Sequence, residues 1–390
     1  MRTHLFFLWA LFLSQITLPH TTWAGPIEAI VQAIIQDFLA DLPQHELEQK
    51  NLFKESFEKI QDDLQESKVL GFGASGRVIQ LESSDQTKAF AYKEFKVPRT
   101  SDLWSNEYDA AAMRFLRELN VLLQCSGQPH LMSVIAWKPP DGQVSPGVFM
   151  PLMQANLSQF LRQKNKPLEK DTVQSILSQI TNGLVALHGM KIVHSDLKPA
   201  NILLDAHLQI KIADFERSHY FAECNHIHSD EEICTQWYRA PELILRGAFG
   251  SKVDIFSLGC ITYECLTGTV LFYSGIKETE IDHLLKIFQI CGSPSESNWP
   301  EGRGRQNYKK YSKQYEDQRK TVFSQKLNHA PEFIPIIVAL IDLNPSHRLN
   351  AAQTEIALNQ LVCNHTPPKE FDEPESNELG SQSNDQREQD

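Results

Sequence analysis

The sequence predicts an α+β fold. Short β-branched or alternating segments at Val69–Leu70, Val78–Leu81 and Ala89–Lys93 read as strands, and Arg114–Leu122 carries the apolar spacing of a helix. The 390 residues fit one large two-lobed domain with appendages, or two modest domains. With 41% hydrophobic and 22% charged residues, the chain has the material for a sizeable core. A formal net charge of −12 lacks the basic excess of a nucleic-acid binder, so no nucleic acid partner is expected.

The first 24 residues carry a basic Arg2, an apolar run from Leu5 to Leu13 and a small-residue stretch ending at Ala24. That is the three-part pattern of a secretory signal peptide, and the apolar run is shorter than the ~20 residues a membrane span needs. Residues 25–66 are expected to form a helical extension. Ile27, Ile30, Val31, Ile34, Ile35, Phe38 and Leu39 recur at helical spacing, Pro43 ends that helix, and 44–66 read as a second one. The apolar stripe implies packing on the following domain, with a regulatory partner as the sharper alternative. The acidic character of the segment argues against a membrane surface after the leader is removed. Residues 363–390 are acidic and rich in Ser, Gln and Asn, and are expected to be disordered. The seven cysteines form no C-x-x-C pair and read as reduced packing residues.

Gly71-Phe72-Gly73-Ala74-Ser75-Gly76 lies between two strand-like segments. Glycines let backbone N–H groups approach phosphates closely. The same pattern opens a helix in dinucleotide-binding folds, but Val78-Ile79-Gln80-Leu81 continues as a strand, which favours a hairpin. Lys93, in the next strand, offers the phosphates a counter-charge.

The glycine loop and the Ala91-Tyr92-Lys93 strand resemble the opening motifs of the eukaryotic-type protein kinase family. The resemblance extends over 67–362 and implies that family's two-lobed fold. A small β-rich lobe with one main helix (67–153) precedes a larger, mainly helical lobe (154–362). It implies that Lys93 holds the α- and β-phosphates of ATP and pairs with a helical glutamate. Glu118, in Arg117-Glu118-Leu119, is chosen over Glu107.

His194-Ser195-Asp196-Leu197-Lys198-Pro199-Ala200-Asn201 resembles the family's catalytic loop, H-R-D-x-K-x-x-N. The resemblance assigns Asp196 as the base that accepts the hydroxyl proton, Lys198 as the cation beside the moving phosphate, and Asn201 as a magnesium ligand. A lysine two places after the aspartate is the serine/threonine form. Asp214-Phe215-Glu216 resembles the D-F-G site, with Asp214 as the principal magnesium ligand and Phe215 packed beneath the Glu118 helix. Magnesium is the expected ion and manganese the alternative.

Two residues depart from the pattern. Ser195 replaces the arginine that normally pairs with an activation-segment phosphate, which weakens the case for activation by such phosphorylation. Glu216 replaces glycine and adds charge beside the metal site, which opens the readings of weak activity or altered metal preference.

Thr235-Gln236-Trp237-Tyr238-Arg239-Ala240-Pro241-Glu242 resembles the activation-segment end of the cyclin-dependent and mitogen-activated kinase group. There Arg239 would shape the pocket that favours proline after the target residue, and Glu242 would pair with Arg348. Val148–Met153 resembles the adenine-binding hinge. Met150 is the gatekeeper, Met153 bonds adenine, and Val78, Ala91 and Leu203 sandwich the base. The expected activity is phosphorylation of protein serine or threonine from ATP. The alternative is a pseudokinase acting as an ATP-binding interaction module. A leader on a kinase implies export, either as an effector acting inside a host cell or as a lumenal or extracellular kinase.

Overall fold

The computed structural model describes residues 63–73, 76–96, 106–138, 145–222, 237–273, 275, 279–304, 308 and 313–361. The leader, the helices expected before Asp63, the acidic tail, Ala74, Ser75 and Thr235 lie outside the described residues.

The small lobe is a five-stranded antiparallel sheet in the order β1-β2-β3-β5-β4. β1 (Leu64–Phe72), β2 (Gly76–Ser83) and β3 (Ala89–Phe95) form a meander. The helix α1 (Asn106–Gln124) follows, and β4 (Ala136–Lys138) and β5 (Gly147–Pro151) complete the sheet. β1 corrects the expected boundary at 67, because Leu64, Gln65 and Glu66 are strand rather than helix. They pair with Ser83, Glu82 and Leu81 of β2, and that ladder outweighs a weak local preference for helix.

The register of this sheet builds one wall of a cleft. Directly opposed residues share a face, as do residues two apart on one strand. Val78 opposes Lys93, Ala91 opposes Met150 and Lys93 opposes Val148. These five side chains therefore lie on one face. Ile79, Tyr92 and Phe149 occupy the other, where they form a small apolar cluster.

The large lobe opens with β6 (Ala155–Asn156), α2 (Leu157–Lys164) and α3 (Lys170–Gly189). Asn156 caps α2 reciprocally with Gln159. The buried residues of α3, among them Val173, Ile176, Leu177, Ile180 and Leu184, recur at three- and four-residue steps. Four short strands follow: β7 (Ile192–Val193), β8 (Ile202–Leu204), β9 (Ile210–Ile212) and β10 (His219–Tyr220). β6, β8 and β9 form one small sheet, and β7 pairs with β10. The short helix α4 (Pro241–Ile244) precedes α5 (Lys252–Thr267), which is buried along most of its length. A Cβ on Gly259 of α5 would meet Ile341 at 2.5 Å and Leu340 at 3.0 Å, so glycine permits that close packing. α6 (Glu280–Cys291), α7 (Pro300–Gly304), α8 (Arg319–Lys326), α9 (Ile334–Leu340) and α10 (Ala351–Asn359) complete the lobe. Cys125, Cys260, Cys265 and Cys291 are buried free thiols, and burial raises the pKa of each. Among the described residues, no helix is long and apolar enough to cross a membrane.

Candidate active site

The loop between β7 and β8 carries Asp196, Lys198 and Asn201, and a buried carboxylate holds it in place. Asp254 of α5 accepts the backbone N–H groups of His194 and Ser195, each at 2.9 Å, and contacts His188 Nε2 at 2.9 Å. His194 is itself buried. Its Nε2 lies 3.0 Å from the Ala213 carbonyl, and its Nδ1 lies 3.3 Å from the Asp196 backbone N–H. This network assigns the ring proton to Nε2, since Nδ1 must accept. Ser195 (φ 66°) and Asp214 (φ 67°) both adopt left-handed backbone, which costs a non-glycine residue ~1–3 kcal/mol. The surrounding hydrogen bonds hold them there.

Within the loop, Lys198 Nζ donates to Asp196 Oδ2 at 2.6 Å. Asn201 Nδ2 donates to the Asp196 carbonyl at 2.9 Å and to Oδ2 at 3.3 Å. These contacts fix the orientation of the Asp196 carboxylate. They also engage the amide nitrogen of Asn201, so its side-chain oxygen is the atom that could ligate a cation. The Ala213 N–H bonds the Asn201 carbonyl at 2.9 Å, which sets Asp214 beside Asn201. A carboxylate and an amide oxygen are hard donors, and they fit magnesium. Phe215 is fully buried, with its ring centroid 5.4 Å from that of His194.

Lys93 and Glu118 pair at 2.7 Å, with side chains 9% and 1% exposed. Lys93 Nζ also lies 2.8 Å from Asp214 Oδ1 and 2.6 Å from Glu216 Oε1. The carboxylate oxygens of Glu118, Asp214 and Glu216 all lie within 4.8 Å of one another. Burial opposes the charge of Lys93, but Asp214, Glu118 and Glu216 overcome it and raise its pKa. Burial likewise pushes Glu118 up to about 8, against the pull of Lys93. Burial works in the same sense on Asp214, yet Lys93 holds its pKa below the ordinary value. Three carboxylates around one ammonium cannot all ionise cheaply in a buried site, and the most buried of them is the one pushed up.

The wall above this cluster consists of Val78, Ala91 and Met150, with Ala91 and Met150 buried. Met153, which follows β5, and Leu203 of β8 are partly buried hydrophobics packed against the main core. The glycines differ among themselves. A Cβ on Gly76 would collide with the Glu94 carbonyl, so packing alone requires that glycine. A Cβ on Gly71 would meet nothing within 4 Å, and one on Gly73 only the Gly76 carbonyl at 3.9 Å. Phe72 is 80% exposed at the tip. Among the described residues the space over Gly71 and Gly73 is thus open, one strand away from Lys93 across Val78, which fits a phosphate-bearing ligand.

On the far side of the loop, Ser195, Asp196, Lys198, Tyr238 and Arg239 line a small cavity. Arg239 pairs with Glu280 at 2.5 Å and stays 8% exposed. Glu242 and Arg348 meet at 2.6 and 2.9 Å. The remaining N–H groups of Arg348 reach the carbonyls of Asp342, Lys252 and Leu343, so all five guanidinium donors are engaged.

Two residues have roles here that the sequence alone does not show. Asp254 is one, although a lone carboxylate inside the apolar run Val253–Leu258 is itself a signal of a buried polar task. Glu216 was legible as a lost glycine, but nothing in the sequence pointed its carboxylate at Lys93.

A family model described as the protein kinase domain matches residues 64–357. Cyclin-dependent kinase 20 of Homo sapiens is 32% identical over 245 residues, covering 62% of this chain and 67% of that protein. Cyclin-dependent kinase B2-1 of Oryza sativa subsp. japonica is 31% identical, covering 59% of this chain and 70% of its own. Among solved structures, a chain of the yeast RNA Pol II CTD kinase CTDK-1 complex superposes with a TM-score of 0.61 at 21% identity, over 71% of this chain and 87% of that one. At that identity the likeness speaks for the fold alone.

Proposed function

The chain belongs to the eukaryotic-type protein kinase family, near its cyclin-dependent group, and on that premise we propose that it transfers the γ-phosphate of ATP to serine or threonine hydroxyls of a protein substrate. The observation that carries this reading is the convergence of Lys93, Glu118, Asp196, Lys198, Asn201 and Asp214 on one cleft. Magnesium, held by Asn201 and Asp214, would neutralise charge on the phosphate oxygens. Lys93 would hold the α- and β-phosphates, with Glu118 keeping its ammonium in place. Asp196, oriented by Lys198 and Asn201, would accept the hydroxyl proton while Lys198 faces the transferred phosphoryl group. Val78, Ala91, Met150, Met153 and Leu203 would enclose the adenine.

Proline after the target residue is part of this proposal. Arg239 is anchored by Glu280 beside the Asp196 cavity, which supports a fixed pocket at that position. A peptide library with phosphoamino-acid analysis tests both parts. Phosphoserine or phosphothreonine, with proline enriched next to it, is expected. Phosphotyrosine, or indifference to proline, would reject the corresponding part.

One observation favours the pseudokinase alternative: the Lys93 ammonium already faces three carboxylates. An interaction module would bind ATP yet show no transfer sensitive to Asp196. A regulatory partner, docking through the apolar stripe that the sequence predicts over Ile27–Leu39, and export through residues 1–24 complete the proposal. N-terminal sequencing of protein recovered outside the producing cell should begin at Gly25.

A further inference from the structure

We propose that Glu216 is a built-in competitor of the nucleotide's phosphates for Lys93, a role that rests on the kinase reading above. A lysine ammonium has three N–H donors. Glu118, Asp214 and Glu216 stand at 2.7, 2.8 and 2.6 Å from Lys93 Nζ, so three carboxylates crowd one ammonium. A phosphate that is to be held by Lys93 must therefore take the place of one of them.

The three are not equally replaceable. Glu118 is fixed on α1 with its side chain 1% exposed. Asp214 sits in left-handed backbone at φ 67° and belongs to the cation-binding pair. Glu216 lies on a turn outside any helix or strand. Its side chain is 14% exposed against 1% for Glu118; Asp214, at 39%, is more exposed still, but it is kept in place by its role in the cation-binding pair. Its φ is not left-handed, so the backbone here does not demand glycine, and the carboxylate rather than a strained chain is what the substitution adds. Displacement falls on Glu216. Until then, Lys93 Nζ is held by carboxylates at 2.6–2.8 Å, and a phosphate gains only the difference between its own attraction to that ammonium and theirs.

The test is equilibrium binding of ADP, without divalent cation, to the full chain. Wild type, E216Q, E216G, K93M and K93M/E216Q are compared, with the melting temperature of each recorded to confirm folding. E216Q and E216G are both expected to bind ADP about ten-fold more tightly than wild type. In the K93M background, E216Q should change nothing, because the contested donor is gone. Unchanged or weaker binding by E216Q and E216G would overturn the proposal. So would an equal gain in the K93M background, which would make Glu216 a source of general repulsion instead. Failure of every form to bind ADP, with magnesium supplied as well, would overturn the kinase reading itself.

Discussion

Asp254 accepts the backbone N–H of His194 at 2.9 Å across 60 positions of sequence, and through that bond a buried helix sets the height of the loop that carries Asp196. The same carboxylate takes the Ser195 N–H, so neighbouring peptide groups share one anchor. Asp254→Asn keeps an acceptor oxygen but replaces the other with a donor that faces an N–H. Catalytic turnover should fall about 100-fold, the scale on which small misplacements act. Nucleotide affinity, which is set at Lys93, should change by less than about three-fold. Steady-state kinetics paired with nucleotide titration checks the split.

The Arg348–Glu242 pair makes a stability prediction. Arg348→Met would leave Glu242, 2% exposed, without its cation, and breaking a buried pair from one side costs about 3–5 kcal/mol. Changing both partners, as in Arg348→Met with Glu242→Leu, should cost less than the sum of the single changes, because no orphaned charge remains. Denaturant unfolding of the four proteins measures this directly. Strict additivity would mean that the pair contributes nothing as a pair.

Acid sensitivity should trace in part to His283 of α6. Burial holds its pKa down to about 4, and its Nε2 bonds the Arg239 carbonyl at 3.1 Å. A free histidine titrates near 6.5. The fold keeps the ring neutral while the unfolded chain protonates, so the unfolded state binds more protons between these values. Stability is fully present above about pH 6.5 and is lost as pH falls toward about 4, by up to about 3 kcal/mol for this group. His219, also held down to about 4 chiefly by burial, adds to the same window. Unfolding free energies at pH 7 and pH 5 should show the loss, and His283→Gln should reduce the slope without abolishing it.

The glycine loop offers a fourth test, because its glycines answer to different causes. Gly76→Ala drives a Cβ into the Glu94 carbonyl and should destabilise the sheet by ~1–3 kcal/mol. Gly73→Ala meets almost nothing in the protein, and its cost should appear in nucleotide affinity while melting temperature stays nearly constant. A thermal shift assay with and without ADP separates the two effects.

Much of the fold and the site was legible because the informative residues sit close together in sequence. Asp196, Lys198 and Asn201 occupy one short loop, and Asp214-Phe215 follows just after β9. Lys93 could be placed because an alternating strand carries it, and Glu118 because a helical register does. What sequence alone did not give depends on distant chain segments meeting. The start of β1 at Leu64 is set by β2, not by the preference of Leu64–Glu66. The grip of Asp254 on the catalytic loop depends on α5 packing beneath it. The contact of Glu216 with Lys93 depends on where a turn aims a side chain that the family pattern does not contain.

The central claim is phosphoryl transfer at Asp196, and the most direct measurement is incorporation of labelled γ-phosphate by the purified protein with magnesium or manganese. A generic basic substrate and a proline-containing one would be offered, beside Asp196→Asn. Label should appear on serine or threonine and fall by at least about 1,000-fold in Asp196→Asn, with ATP binding kept. Bound ATP with no transfer by the wild type, or transfer that survives the substitution, would contradict the claim.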